Sequence, residues 1–82
     1  MLLDIVTPDK KVFEGEGSAV TLPGSDGEFQ ILSNHAPLIS ALGKGKVTIQ
    51  ASGKTEELTI DGGVVEVLDN NIVVLAESVI ED

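Results

Sequence analysis

The chain has 82 residues, with five lysines, no arginine, 14 acidic residues and no cysteine, and its formal net charge is −9. A chain this short holds one domain that buries only about 60% of its unfolded surface, and without cysteine it offers no disulfide framework, zinc knuckle or thiol nucleophile. The charge repels phosphate backbones and anionic headgroups, which argues against nucleic acid and direct lipid insertion and for a basic protein partner.

Ten Val, seven Ile and five Thr predict an all-β chain, because β-branched side chains pack well on a pleated surface and lose rotamer freedom in a helix. The start, Met1-Leu2-Leu3-Asp4, lacks the basic and apolar regions of a signal peptide, and no apolar run approaches the roughly 20 residues that span a bilayer. The expectation is a soluble, unprocessed protein on the cytosolic side. Leu3 and Ile5 alternate with Asp4 in a first strand, and the two aromatics, Phe13 and Phe29, are assigned to the core as anchors of neighbouring strands. Gly15-Glu16-Gly17 and Gly24-Ser25-Asp26-Gly27 read as turns, as do Gly43-Lys44-Gly45, Ser52-Gly53-Lys54, Asp61-Gly62-Gly63 and Asp69-Asn70-Asn71 further along. Their spacing predicts a sandwich of short antiparallel strands.

In the middle of the chain, Pro37 has no N–H and disfavours helix at Ala36, so Asn34-His35-Ala36-Pro37 is a bent segment whose backbone needs local side-chain partners. Asn34 and His35 are suited to that role. Leu38, Ile39 and Leu42 then form an apolar hook that either tucks into the sandwich or projects to a partner. From Lys46 to Ala51 the alternation is clear, with Val47, Ile49 and Ala51 directed to the core, and Leu58 and Ile60 repeat the pattern. Ile72-Val73-Val74-Leu75-Ala76 is apolar at every position. Such a strand is either central and overhung by a loop, or its outer face meets another protein. The last segment, Glu77 to Asp82, stops just after it.

Chemistry-bearing patterns are few. Gly15/Gly17 and Gly43/Gly45 lack P-loop spacing and open no helical pattern, so they are read as turn glycines. Ser33 and His35 stand two apart, but a nucleophile also needs an oriented base and an oxyanion hole. His35 with Asp26 and Glu28 would supply a metal with one nitrogen ligand and no sulfur. No catalytic residue, cofactor or metal is expected.

The run Gly-Glu-Phe-Gln-Ile-Leu-Ser-Asn-His-Ala-Pro-Leu-Ile from Gly27 to Ile39 leads into Gly45-Lys46-Val47 with Ile49. Gly62-Gly63 with Glu66-Val67, and then Leu75-Ala76-Glu77, complete a pattern that resembles the epsilon subunit of F-type ATP synthase, called delta in mitochondria. The resemblance covers nearly the whole chain and implies one domain over residues 1–82: a ten-stranded β-sandwich of two five-stranded antiparallel sheets. It implies a non-catalytic rotor subunit of the central stalk that couples rotation of the membrane c ring to the gamma subunit, and so ion transport to ATP synthesis or hydrolysis. The alpha and beta subunits would be indirect partners. The family's ring-facing turn falls on Ser25, Asp26, Gly27 and Glu28, and its gamma-facing segment on His35, Ala36, Pro37, Leu38 and Ser40. Ser33 stands where many members carry Pro. Bacterial members usually continue into a C-terminal helical hairpin, and the sequence ends where it would begin, as a naturally short member or as a piece of a longer chain; in either case the expectation is no ATP binding and no helix-mediated inhibition by these residues. The implied location is the cytoplasmic face of the bacterial plasma membrane, with the chloroplast thylakoid as second choice. The alternative reading is a stand-alone β-sandwich interaction module.

Overall fold

The computed structural model describes residues 1–80 and contains only strands, turns and loops among them. Among the described residues no helix is long and apolar enough to cross a membrane. In chain order the strands are β1 (Leu2–Val6), β2 (Lys11–Glu16), β3 (Ala19–Gly24), β4 (Gly27–Leu32), β5 (Leu38–Ala51), β6 (Lys54–Leu68), β7 (Asn71–Ala76) and β8 (Val79–Ile80). Glu81 and Asp82, where the sequence reading ends the last segment, lie outside the described residues.

Hydrogen-bonded neighbours run β2-β1-β7-β6-β5-β3-β4, with β8 beside β6. If this sheet were flat, β1 and β4 would lie roughly 24 Å apart at the usual strand spacing. Yet Leu3 and Ile5 of β1 share one buried cluster with Val20 and Leu22 of β3 and Ile31 of β4. The sheet therefore folds over on itself into two layers, and the core lies between them.

The fold-over explains why eight strands stand where ten were expected among the described residues. β5 and β6 have 14 and 15 residues and pass from one layer to the other. Their halves near Leu38–Leu42 and Gly63–Val67 join β7, β1 and β2 in a first layer, while their other halves join β8, β3 and β4 in a second. Counted once in each layer, they restore two five-stranded sheets. A second departure is the pairing of β1 with β7, which is parallel in an otherwise antiparallel arrangement.

Two of the expected turns are these crossing points. Gly43-Lys44-Gly45 lies inside β5 and Asp61-Gly62-Gly63 inside β6, where the ladder runs Leu42↔Gly63 and Lys44↔Asp61 and skips Gly43 and Gly62. Gly62 and Gly63 have φ of 118° and 151°, which side chains other than glycine's rarely tolerate. A Cβ on Gly63 would also strike the Leu75 backbone oxygen and lie 2.9 Å from Ala76 Cα. The glycines that read locally as turns are thus a strand bend.

Gly15 and Glu16, also expected in a turn, lie inside β2 paired with Leu3 and Leu2, so the break falls at Gly17 and Ser18, while the core signals hold. Leu3, Ile5, Val47, Ile49 and Ile60 are buried, Ala51 and Leu58 half-buried, and Phe13 and Phe29 pack partly buried against the core. Two-residue turns close β3–β4 at Ser25-Asp26, β5–β6 at Ser52-Gly53 and β6–β7 at Asp69-Asn70. At the rim of the first layer Lys11 donates to Glu14 at 3.1 Å and lies 3.8 Å from Asp4. That hydrogen bond, then the Glu14 charge, pushes the Lys11 ammonium above its ordinary pKa.

Candidate functional site

Ser25, Asp26, Gly27 and Glu28 form the tip of the β3–β4 hairpin, and all four are exposed. Gly24 pairs with Gly27, and Ser25 N–H donates to Ala41 O at 3.1 Å, which ties the tip to β5. Ser40 and Ala41 line the same shallow depression as this turn. The structure thus brings Ser40, assigned from the sequence to the other segment, beside the acidic turn.

The remaining members of that segment lie at the start of β5 and in the loop before it. Asn34 has φ of 65°, and its N–H donates to Asn70 Oδ1 at 2.7 Å. His35 Nδ1 donates to the Ala36 carbonyl at 2.7 Å. His35, Ala36 and Pro37 are exposed, whereas Leu38 is half-buried against the core. The outward residue of the apolar hook is Ile39, 71% exposed, and Leu42 is buried.

The fully apolar strand is resolved by its register. Ile72, Val74 and Ala76 of β7 face the core, while Leu75 is 53% exposed on the opposite face. Strand pairing sets Val6, Leu75, Val64 and Ala41 in one row across β1, β7, β6 and β5. Asp4, Val73, Glu66 and Ile39 form the next row, followed by Leu2, Asn71 and Leu68. Across β1, β7, β6 and β5 the outer face is therefore mainly apolar, with Asp4, Glu66 and Asn71 set into it, and β2 borders it with Lys11, Glu14 and Glu16. At its β5 side Pro37, Leu38 and Ile39 meet Glu66, Val67 and Leu68 in a shallow depression. The contributions of Leu2, Val64, Leu68 and Asn70 escape a sequence reading. Val64-Val65 and Val67-Leu68 break alternation around Glu66, but only the register reveals which members face outward.

Chemically, this arrangement is suited to contact. The buried side chains are apolar, and no group of three His, Cys, Asp or Glu is placed to hold a metal among the described residues.

A family model described as "ATP synthase, Delta/Epsilon chain, beta-sandwich domain" matches residues 1–82. An ATP synthase epsilon chain of Pelotomaculum thermopropionicum is 47% identical over 76 residues, which is 93% of this chain and 57% of that relative. An epsilon chain of Chlorobium limicola is 50% identical over 78 residues, 94% of this chain and 89% of that relative. The chain thus spans little more than half of some curated relatives and most of another. In fold it is similar to a chain in the cryo-EM structure of the Tetrahymena thermophila mitochondrial ATP synthase central stalk and c ring, with a TM-score of 0.84 at 18% identity, covering 98% of this chain and 65% of that one. A chain in the Euglena gracilis mitochondrial ATP synthase OSCP/F1/c-ring structure gives 0.88 at 22% identity, covering 95% and 51%.

Proposed function

The chain belongs to the ATP synthase delta/epsilon family of β-sandwich domains, and we propose from this that it is a non-catalytic rotor component linking the gamma subunit of the central stalk to the membrane c ring. The complex would be the membrane-bound ATP synthase, with this chain held peripherally at the cytoplasmic face of a bacterial membrane. The alpha and beta subunits would feel it only through gamma.

The observation that carries the reading is the outer face of the first layer. A chain with a net charge of −9 leaves Leu2, Ile39, Val64, Leu68 and Leu75 open on that one face. A contiguous apolar surface of this kind marks a partner site. Gamma would cover it together with the adjoining His35-Ala36-Pro37 loop, with Leu38 and Ser40 shaping the seat from beneath. The acidic hairpin tip, Ser25 to Glu28, would meet polar and basic loops of the ring, where charge complementarity fixes orientation.

Mechanically the two contacts are joined by β5. From Leu38 at the loop to Ala41 at the hairpin tip is roughly 10 Å of strand, and over that stretch each residue pairs with one of β6, from Val67 to Val64. Torque entering at one contact crosses a close-packed sheet that resists deformation.

The test is co-elution of the chain with purified gamma subunit on a sizing column, beside an Ile39→Asp variant. Stoichiometric co-elution of the native chain, lost in the folded variant, is expected. A native chain that elutes alone would remove the gamma contact and favour a generic interaction module.

A further inference from the structure

We propose that Asn70 is a positioning residue for this contact: its side-chain oxygen holds the Asn34–Pro37 loop at the attitude in which gamma binds it. The inference rests on the rotor reading above and adds a residue outside the segments assigned from sequence.

The β6–β7 turn has two central residues, Asp69 at φ 50° and Asn70 at φ 62°. Positive φ at both positions is the type I′ hairpin geometry, in which glycine is favoured at the second. Asn occupies that position here, and its side chain does what glycine could not. Asn70 Oδ1 accepts the Asn34 N–H at 2.7 Å from 36 residues away, and the Asn70 backbone oxygen accepts the Leu2 N–H at 3.1 Å. Asn71 Nδ2 donates to Asp69 O at 3.0 Å and braces the turn from within. Among the described residues, the Asn34–Asn70 bond is the one hydrogen bond that ties residues 33–37 to a different segment. Because Asn70 stands two residues after Leu68, the bond also sets the loop beside the apolar depression that Pro37 and Leu68 share. A loop otherwise held only at its ends would sample many orientations, and gamma would have to select one from them.

Asn70→Gly suits the turn and deletes only the acceptor; Asn70→Asp keeps an acceptor oxygen and tolerates the same φ. The experiment measures Asn34 amide exchange by NMR, the unfolding midpoint, and dissociation from purified gamma for the native chain and both variants. In Asn70→Gly the Asn34 amide should exchange about three- to tenfold faster and gamma should dissociate faster by a similar factor, the worth of one net hydrogen bond. The unfolding midpoint should not fall, and Asn70→Asp should restore both rates toward native. Unchanged Asn34 exchange in Asn70→Gly would overturn the proposal, as would faster exchange with unchanged gamma dissociation, which leaves the rotor reading standing. If the native chain itself fails to bind gamma, the rotor reading falls and takes the positioning role with it.

Discussion

Leu38 and Ile39 are adjacent and almost identical in chemistry, yet one is half-buried against the core and the other is 71% exposed. Successive strand side chains point to opposite faces, so register alone assigns them. Leu38→Asp should therefore lower stability by about 1–3 kcal/mol through lost burial and a desolvated charge. Urea unfolding followed by circular dichroism reads this directly; a native midpoint would mean that Leu38 is not seated in the core. At the hairpin tip, Glu28→Lys reverses one exposed charge without touching the core. It should weaken retention on isolated c rings, and the native contact should itself weaken as salt shortens the Debye length from about 30 Å at 0.01 M to about 8 Å at 0.15 M. Equal retention of variant and native chain at low salt would remove Glu28 from the ring contact. The acidic turn and the bent Asn34–Pro37 segment were visible as segments, because Gly, Asx and Pro carry local conformational signals. Asn70 was not, because its partner is 36 residues away and no local pattern announces a side-chain-to-backbone bond of that span.

Among the elements, β5 and β6 show how the same residues carry different meaning in different pairings. Gly43-Lys44-Gly45 and Asp61-Gly62-Gly63 have turn composition, but they lie opposite one another in the longest ladder of the fold. Two glycine-bearing stretches facing each other let both strands bend together, and continuous backbone pairing on either side keeps the chain extended. Gly63→Ala should destabilise the sandwich by about 1–3 kcal/mol from the dihedral alone, and more where the new Cβ meets the Leu75 carbonyl and Ala76 Cα. Gly53→Ala, in the exposed β5–β6 turn at φ 76° with nothing near its Cβ position, isolates the dihedral cost. Equal unfolding midpoints for the two variants would show that the close approach at Gly63 contributes nothing. The strand from Ile72 to Ala76 had two readings in the sequence. Register turns Ile72, Val74 and Ala76 to the core and Leu75 outward, and with Leu75 53% exposed no loop among the described residues overhangs it.

At the scale of the whole molecule, a net charge of −9 on 82 residues repels itself, and the described ion pairs, Lys11 with Asp4 and Glu14 and Lys46 with Glu57, are all at the surface. Exposed pairs of this kind add little, so screening should relieve more repulsion than attraction. The thermal midpoint should rise between about 10 mM and about 150 mM NaCl; a midpoint that falls would mean the surface pairs outweigh the net charge. On so acidic a chain, the apolar residues Leu2, Ile39, Val64, Leu68 and Leu75 of the outer face form a surface where a partner gains by excluding water. By itself the amino-acid order determined the all-β class, the hairpin turns at residues 25–26, 52–53 and 69–70, and the alternation that fills the core, because these follow from φ preferences and side-chain period within a few residues. Only the tertiary structure decided that β5 and β6 serve both layers, that β1 runs parallel to β7, that Ile39 rather than Leu38 faces outward, and that Asn70 reaches Asn34. Each of those depends on which distant strand supplies the hydrogen-bond partner, and pairing across dozens of residues leaves no periodic trace in the chain.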